Sequence, residues 1–188
     1  MEYTQRQYPL FSACGLNCGL CPRYYTDGTS KCPGCAGENF SAVHPACGVL
    51  SCCQRKGLEY CFLCGEYPCR KYTGADLSDS FITHKNQLSD LDKAKQIGLE
   101  AYIAELNEKV GILERLLKHY DDGRRKSFFC VAANLLSLQD LNRAMEQIAS
   151  EIRPEAPQKQ KAATAVRILE EMAKELDISL QLRKKPKS

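Results

Sequence analysis

Histidine is scarce in this chain of 188 residues: only His44, His84 and His119 occur. So few imidazoles leave little general base for a serine or cysteine nucleophile. His119 follows Lys118 at the end of an apolar-periodic stretch, where a cation complements a helix dipole, and His84 lies in a polar stretch. A phosphate-cradling Gly-rich loop, a His-Glu-x-x-His pair and a Gly-x-Ser-x-Gly elbow are all missing. With ordinary enzyme signatures absent, the expectation is a binding or interaction protein rather than an enzyme.

Long apolar runs are missing too. The longest, Phe128 to Ala133, falls far short of the roughly 20 residues that a bilayer span requires. No membrane partner is expected. Residues 1–11, MEYTQRQYPLF, lack the basic region followed by an apolar one that marks a secretory signal. A cytoplasmic location is therefore expected, where reducing conditions keep cysteines as thiols, free for metal.

Strong charge of one sign is also lacking, with 26 Lys and Arg against 23 Asp and Glu and a formal net charge of +3. Residues 1–75 hold seven basic and five acidic side chains, and a zinc tetrathiolate adds negative charge, so a metal-loaded module would be acidic. The basic end from Leu182 (LRKKPKS) then reads as a solvated terminus, and nucleic acid is not an expected partner.

What the chain has in abundance is cysteine. Of twelve, eleven lie between Cys14 and Cys69, and only Cys130 falls outside. Three Cys-x2-Cys knuckles stand out: Cys18 with Cys21, Cys32 with Cys35, and Cys61 with Cys64. His44-Pro-Ala-Cys47 has the same spacing, with imidazole in place of one thiolate. A tight turn with two intervening residues aims both donors at one ion, and two such turns complete a tetrahedron around Zn²⁺. Cys14, Cys52, Cys53 and Cys69 remain, enough to complete a third site.

The same segment is rich in Gly and Pro and shows no sustained period of 3.6 or 2, so it reads as turns. Its large apolar side chains are few, and burying them does not offset the entropy of ordering the segment. Metal is expected to supply the difference, leaving the region unfolded without it.

From about residue 76 the composition shifts to Leu, Ala, Glu and Lys, which favours helices. The expected organisation is a cysteine-rich metal-binding module over 1–75 and a helical domain over 76–188. Leu99, Ile103, Leu106, Val110, Leu113, Leu117 and Tyr120 advance by alternating steps of four and three, drawing an apolar stripe that ends at Asp121-Asp122-Gly123. This stripe is read as an intramolecular face ahead of a dimer seam, and the oligomeric state stays open.

Ser127 to Leu136 is apolar nearly all round and predicts a buried helix, with Cys130 as a small hydrophobe. Ser137 with Asp140 predicts a capping box. Pro154 and Pro157 break the chain before a last helix over about 158–176, with Val166, Leu169, Met172 and Leu176 on one side. Ile178, Leu180 and Leu182 then alternate as a short β-strand. The expected class is α+β, mostly α.

The cysteine pattern resembles a known family. Cys14-Gly-Leu-Asn-Cys18-Gly-Leu-Cys21-Pro22, Cys32-Pro-Gly-Cys35, Cys47-Gly-Val-Leu-Ser-Cys52 and Gly57-Leu-Glu-Tyr-Cys61-Phe-Leu-Cys64-Gly-Glu-Tyr-Pro68-Cys69 carry the likeness, over about residues 11–72. Together they are similar to the bacterial and archaeal proteins called domain of unknown function 3795, which are described as zinc-binding. The resemblance implies a metal and no activity. In that family the position of His44 is usually a cysteine, a mild departure because histidine also ligates zinc. Cys53 matches no cysteine of the pattern.

The candidate ligands are thus Cys14, Cys18, Cys21, Cys32, Cys35, His44, Cys47, Cys52, Cys61, Cys64 and Cys69, for two to three zinc ions. Eleven is not a multiple of four, so a three-ligand, open site is a competing reading beside a purely structural one. Iron–sulfur ligation is the other alternative. Cys14-x3-Cys18-x2-Cys21 has the spacing of radical S-adenosylmethionine enzymes, and Cys61-x2-Cys64-x4-Cys69 could hold iron in an electron carrier. The partner, protein or small molecule, is not specified by these residues.

Overall fold

The computed structural model describes residues 6–75 and 77–185. Among the described residues seven α-helices follow one another: α1 (Phe40–Val43), α2 (Gly48–Arg55), α3 (Gln87–Ile97), α4 (Leu99–Tyr120), α5 (Lys126–Leu135), α6 (Leu138–Glu151) and α7 (Gln158–Glu175). Short 3₁₀ turns punctuate the cysteine-rich segment. No helix is long and apolar enough to cross a membrane among the described residues.

The expected α+β class and terminal strand are overturned, because no β-strand forms among the described residues. Helix α7 ends where Asp177 takes a left-handed φ of 54° and the Ile178 N–H turns back to Ala173 O at 2.8 Å. Beyond it Ile178, Leu180 and Leu182 do alternate half-buried with exposed neighbours. A strand needs a ladder of backbone partners, and this stretch instead meets a carboxylate. The Arg183 N–H donates to Asp79 Oδ2 at 2.7 Å, and the Asp79 N–H donates to Arg183 O at 2.9 Å.

The chain separates into two compact units. One comprises the described residues as far as Leu106, together with those from Leu182 onward; the other is Asn107–Gln181.

In the first unit the buried rings of Phe11, Tyr60 and Tyr102 pack together, with centroids 5.3 Å apart for Phe11–Tyr60 and 4.6 Å for Phe11–Tyr102. Leu20, Leu50 and Leu91 are also buried in this unit. Asn17 is a buried polar link between segments: it donates to Asp90 Oδ2 at 2.8 Å and accepts from the Tyr102 hydroxyl at 3.0 Å. Cys14, Cys32, Cys35, Cys53 and Cys61 are themselves buried, so thiols occupy positions that aliphatic side chains fill elsewhere.

The second unit is built on α5, whose Phe129 to Asn134 are all buried, as its apolar sequence predicts. Helix α6 opens on the predicted cap, the Ser137 hydroxyl accepting from the Asp140 N–H at 3.1 Å. Its Leu141, Ala144 and Ile148 face inward. Helix α7 packs on α5 and α6. Its buried face is Ala162, Ala165, Ile168, Leu169, Met172 and Ala173, whereas Val166 is half-buried and Leu176 is exposed. Leu169 and Met172 of the predicted face are thus buried, and alanines rather than Val166 and Leu176 complete the seam.

Helix α4 buries Ile103, Leu106, Val110 and Leu113 of the predicted stripe, then Leu116 in place of Leu117. A straight helix repeats every 3.6 residues and drifts from a heptad, which shifts the buried position by one.

Candidate metal centre

Two knuckles have the same local fold. In the first, Leu20, Cys21 and Tyr24 N–H groups donate to Asn17, Cys18 and Cys21 carbonyls at 2.8, 3.1 and 3.0 Å. In the second, Leu63, Cys64 and Tyr67 donate to Tyr60, Cys61 and Cys64 at 3.1, 3.0 and 3.1 Å. Each is a 3₁₀ turn, Cys18–Leu20 and Cys61–Leu63. Because side chains at i and i+3 eclipse in this geometry, the turn places both thiols of the knuckle on one side.

The other two pairs are held differently. The Cys32 N–H donates to Arg23 O at 2.9 Å and the Cys35 N–H to Pro9 O at 2.7 Å. Between them Gly34 has φ of 90°, and a Cβ there would lie 2.6 Å from Pro9 O. His44 is exposed, its ring stacked on Phe40 with centroids 4.4 Å apart. Cys47 caps α2, its sulfur accepting from the Leu50 N–H at 3.5 Å.

None of the twelve cysteines is joined in a disulfide. The eleven of the first unit fall into two groups by the repulsion each thiolate would feel from its neighbours. Cys18 senses Cys35, Cys14, Cys21 and Cys32, while Cys35 and Cys14 both sense Cys47. The second group is Cys52, Cys53, Cys61, Cys64 and Cys69, linked through Cys53 and Cys61. Cys130 lies buried in α5. As placed, no group of three or more His, Cys, Asp or Glu side chains among the described residues closes tightly enough to hold an ion. The first unit gathers eleven soft sulfur donors, and as placed they form no coordination shell.

Burial raises Cys14, Cys18, Cys21, Cys35, Cys53 and Cys61. Desolvation, then neighbouring thiols, pushes Cys18 well above the usual thiol range, and burial pushes Cys35 and Cys53 up to about 12. A buried thiol gives up its proton readily only with a cation beside it. Around Cys14, also raised by burial, the fold already provides donors. Ser12 Oγ lies 3.1 Å from its sulfur and accepts the Leu16 N–H at 2.7 Å, and Gln87 also bonds this sulfur. Buried Arg6 adds positive charge that favours the Cys35 and Cys53 thiolates. Its guanidinium stacks over Tyr60 at 4.4 Å and donates to Phe11 O at 3.2 Å.

Cys64 is the exception, lowered by the Glu66 backbone N–H and then by Lys56. Lys56 Nζ donates to Cys64 Sγ at 3.2 Å and to Glu66 Oε2 at 3.0 Å. The whole second group lines one cavity of about 240 Å³, whose walls also carry Arg55, Lys56, Arg70 and Lys71 against the single acid Glu66. Cys53, which the spacing sets aside, is buried here, and desolvation and then the neighbouring Cys61 raise its thiol. Its off-pattern position leaves no spacing signal that would have marked it. Ser12, Gln87 and Arg6 likewise carry no motif; only the fold brings them to the thiols.

These features define a helical chain with a cysteine-rich, thiol-lined first unit. Residues 10–74 match the model of a family described as "Protein of unknown function (DUF3795)". The matched span brackets the four cysteine motifs and stops short of α3. No curated protein and no solved structure matches the chain.

Proposed function

We propose that the cysteine-rich module read as residues 1–75 is a zinc-binding unit in which each of the two thiol groups holds metal, and that the protein acts as a binding or interaction module. The observation that carries this reading is the pair of matching 3₁₀ knuckles, Cys18/Cys21 and Cys61/Cys64, one in each group of disulfide-free cysteines. Cys14, Cys32, Cys35 and Cys47 would serve the first ion or ions, and Cys52, Cys69 and the Cys61/Cys64 knuckle the second. Zinc, when bound, supplies the positive charge that lets buried thiols ionise, and ties segments that share little apolar surface. Ser12 and Gln87 would hold the Cys14 sulfur in place, as outer partners do for metal ligands.

Elemental analysis of the purified full-length chain tests the reading. The expected result is a colourless protein with two or three zinc ions per chain. A brown protein carrying iron and acid-labile sulfide would replace zinc with iron–sulfur clusters, and a metal-free protein that takes up no zinc would refute the proposal.

A further inference from the structure

We infer that the basic rim of the cavity beside α2 is a binding site for a phosphate group, carried either by a small molecule or by a phosphorylated protein segment. The inference names a partner for the interaction module proposed above and rests on that part of the reading, needing no metal in the cavity. Residues 1–75 hold seven basic and five acidic side chains. Four of the seven, Arg55, Lys56, Arg70 and Lys71, line this one cavity against Glu66 alone. They come from two separate segments: Arg55 closes α2 and Lys56 follows it, whereas Arg70 and Lys71 open the 3₁₀ turn Arg70–Tyr72. All four are exposed.

Lys56 is already committed, donating to Glu66 Oε2 at 3.0 Å and to Cys64 Sγ at 3.2 Å. Arg55, Arg70 and Lys71 make no ion pair with an acidic side chain among the described residues. Like charges gathered around one opening repel, and an incoming anion relieves that repulsion. With Glu66 balancing Lys56, three positive charges remain, which suits a dianion better than a single carboxylate. The two arginines favour phosphate further, because a guanidinium meets its oxygens with two parallel N–H donors. At about 240 Å³ the cavity is smaller than the roughly 300–1,000 Å³ that encloses a whole drug-sized ligand, so it takes one group and leaves the bearer of that group outside.

Titration of the full chain with inorganic phosphate, followed by phosphorus NMR, and with a labelled phosphoserine peptide and its serine counterpart, followed by fluorescence anisotropy, tests this. The Arg70→Ala/Lys71→Ala double variant is the probe, since Arg55 also complements the end of α2. Lys95→Ala, which removes an exposed charge from α3 away from the cavity's lining, is the control. Parent and control are expected to bind alike, and the double variant about tenfold more weakly, with circular dichroism and metal content unchanged. A phosphoserine peptide that binds at least as well as inorganic phosphate, its serine counterpart failing, supports the site with a protein source. Binding of inorganic phosphate alone supports it with a small-molecule source. No binding of either probe by the parent, an undiminished double variant, or equal weakening in the control overturns the inference while leaving the zinc reading intact. Loss of metal from the double variant together with phosphate binding would show that these cations serve the thiols, and overturns it as well.

Discussion

Gly15 shows how much a single position constrains the first unit. Its φ is 92°, and a Cβ built there would lie 2.2 Å from Gln87 O and 2.6 Å from Leu91 Cγ. The clash is with backbone of α3, which cannot rotate away as a side chain can. Gly28, with φ of 77° and nothing within 4 Å, is the natural control. Gly15→Ala is expected to cost roughly 2 kcal/mol or more, because strain and overpacking act together. Gly28→Ala should cost about 1 kcal/mol from backbone strain alone. Denaturant melts of the two variants check this, and equal midpoints would show that the loop does not seat on α3. Gly15 also sits beside Cys14, so its displacement carries that thiol away from Ser12 and Gln87. None of this can be read from the string Cys-Gly-Leu-Asn-Cys, in which a turn glycine and a glycine pressed against another helix look alike.

At the scale of elements, the stretch after α7 turns on Asp79. Its carboxylate, fully buried, accepts from the N–H groups of His84 and Arg183 at 2.8 and 2.7 Å and from the Arg183 guanidinium at 2.8 Å. Burial works to raise this carboxyl, but the hydrogen bonds and the Arg183 charge outweigh it and hold it below the ordinary aspartate value. A depressed folded-state value means that the contribution is present above the unfolded value, about 3.9, and is lost as pH falls through the folded one. Asp79→Asn is expected to cost about 1–3 kcal/mol at neutral pH and to remove this part of the acid-dependent loss. Stability measured from pH 7 down to pH 3 checks it, and superimposable curves for variant and parent would mean that the contact contributes nothing. The apolar alternation of Ile178, Leu180 and Leu182 is real in the sequence, yet alternation specifies a half-buried face and not a partner strand. The knuckles, the α5 core helix and the Ser137 cap were legible because each is fixed by residues within a few positions. Helix α2 was not, because Gly48, Ser51 and two adjacent cysteines mask its period.

For the whole molecule, the two units differ in what fills their interiors. Asn107–Gln181 buries Leu113, Leu116, Leu136, Leu141, Ile148 and Ile168 almost completely, an aliphatic core of the kind that sustains a helical fold unaided. The first unit buries five aromatic rings, those of Phe11, Phe40, Tyr60, Tyr72 and Tyr102, with a few leucines and isoleucines, and five thiols stand among them. If metal holds that unit, its removal should open one set of cysteines and spare the other, and the chain carries its own internal control in Cys130, buried in α5. Alkylation of zinc-loaded, chelated and denatured protein, mapped by mass spectrometry, separates the outcomes. Chelation is expected to expose the eleven cysteines from Cys14 to Cys69 while Cys130 stays protected until denaturant is added. Cys130 opening together with the others would show that the two units unfold as one cooperative body. Continued protection of all twelve after complete chelation would show that side-chain packing, with no help from metal, holds the thiol-lined unit.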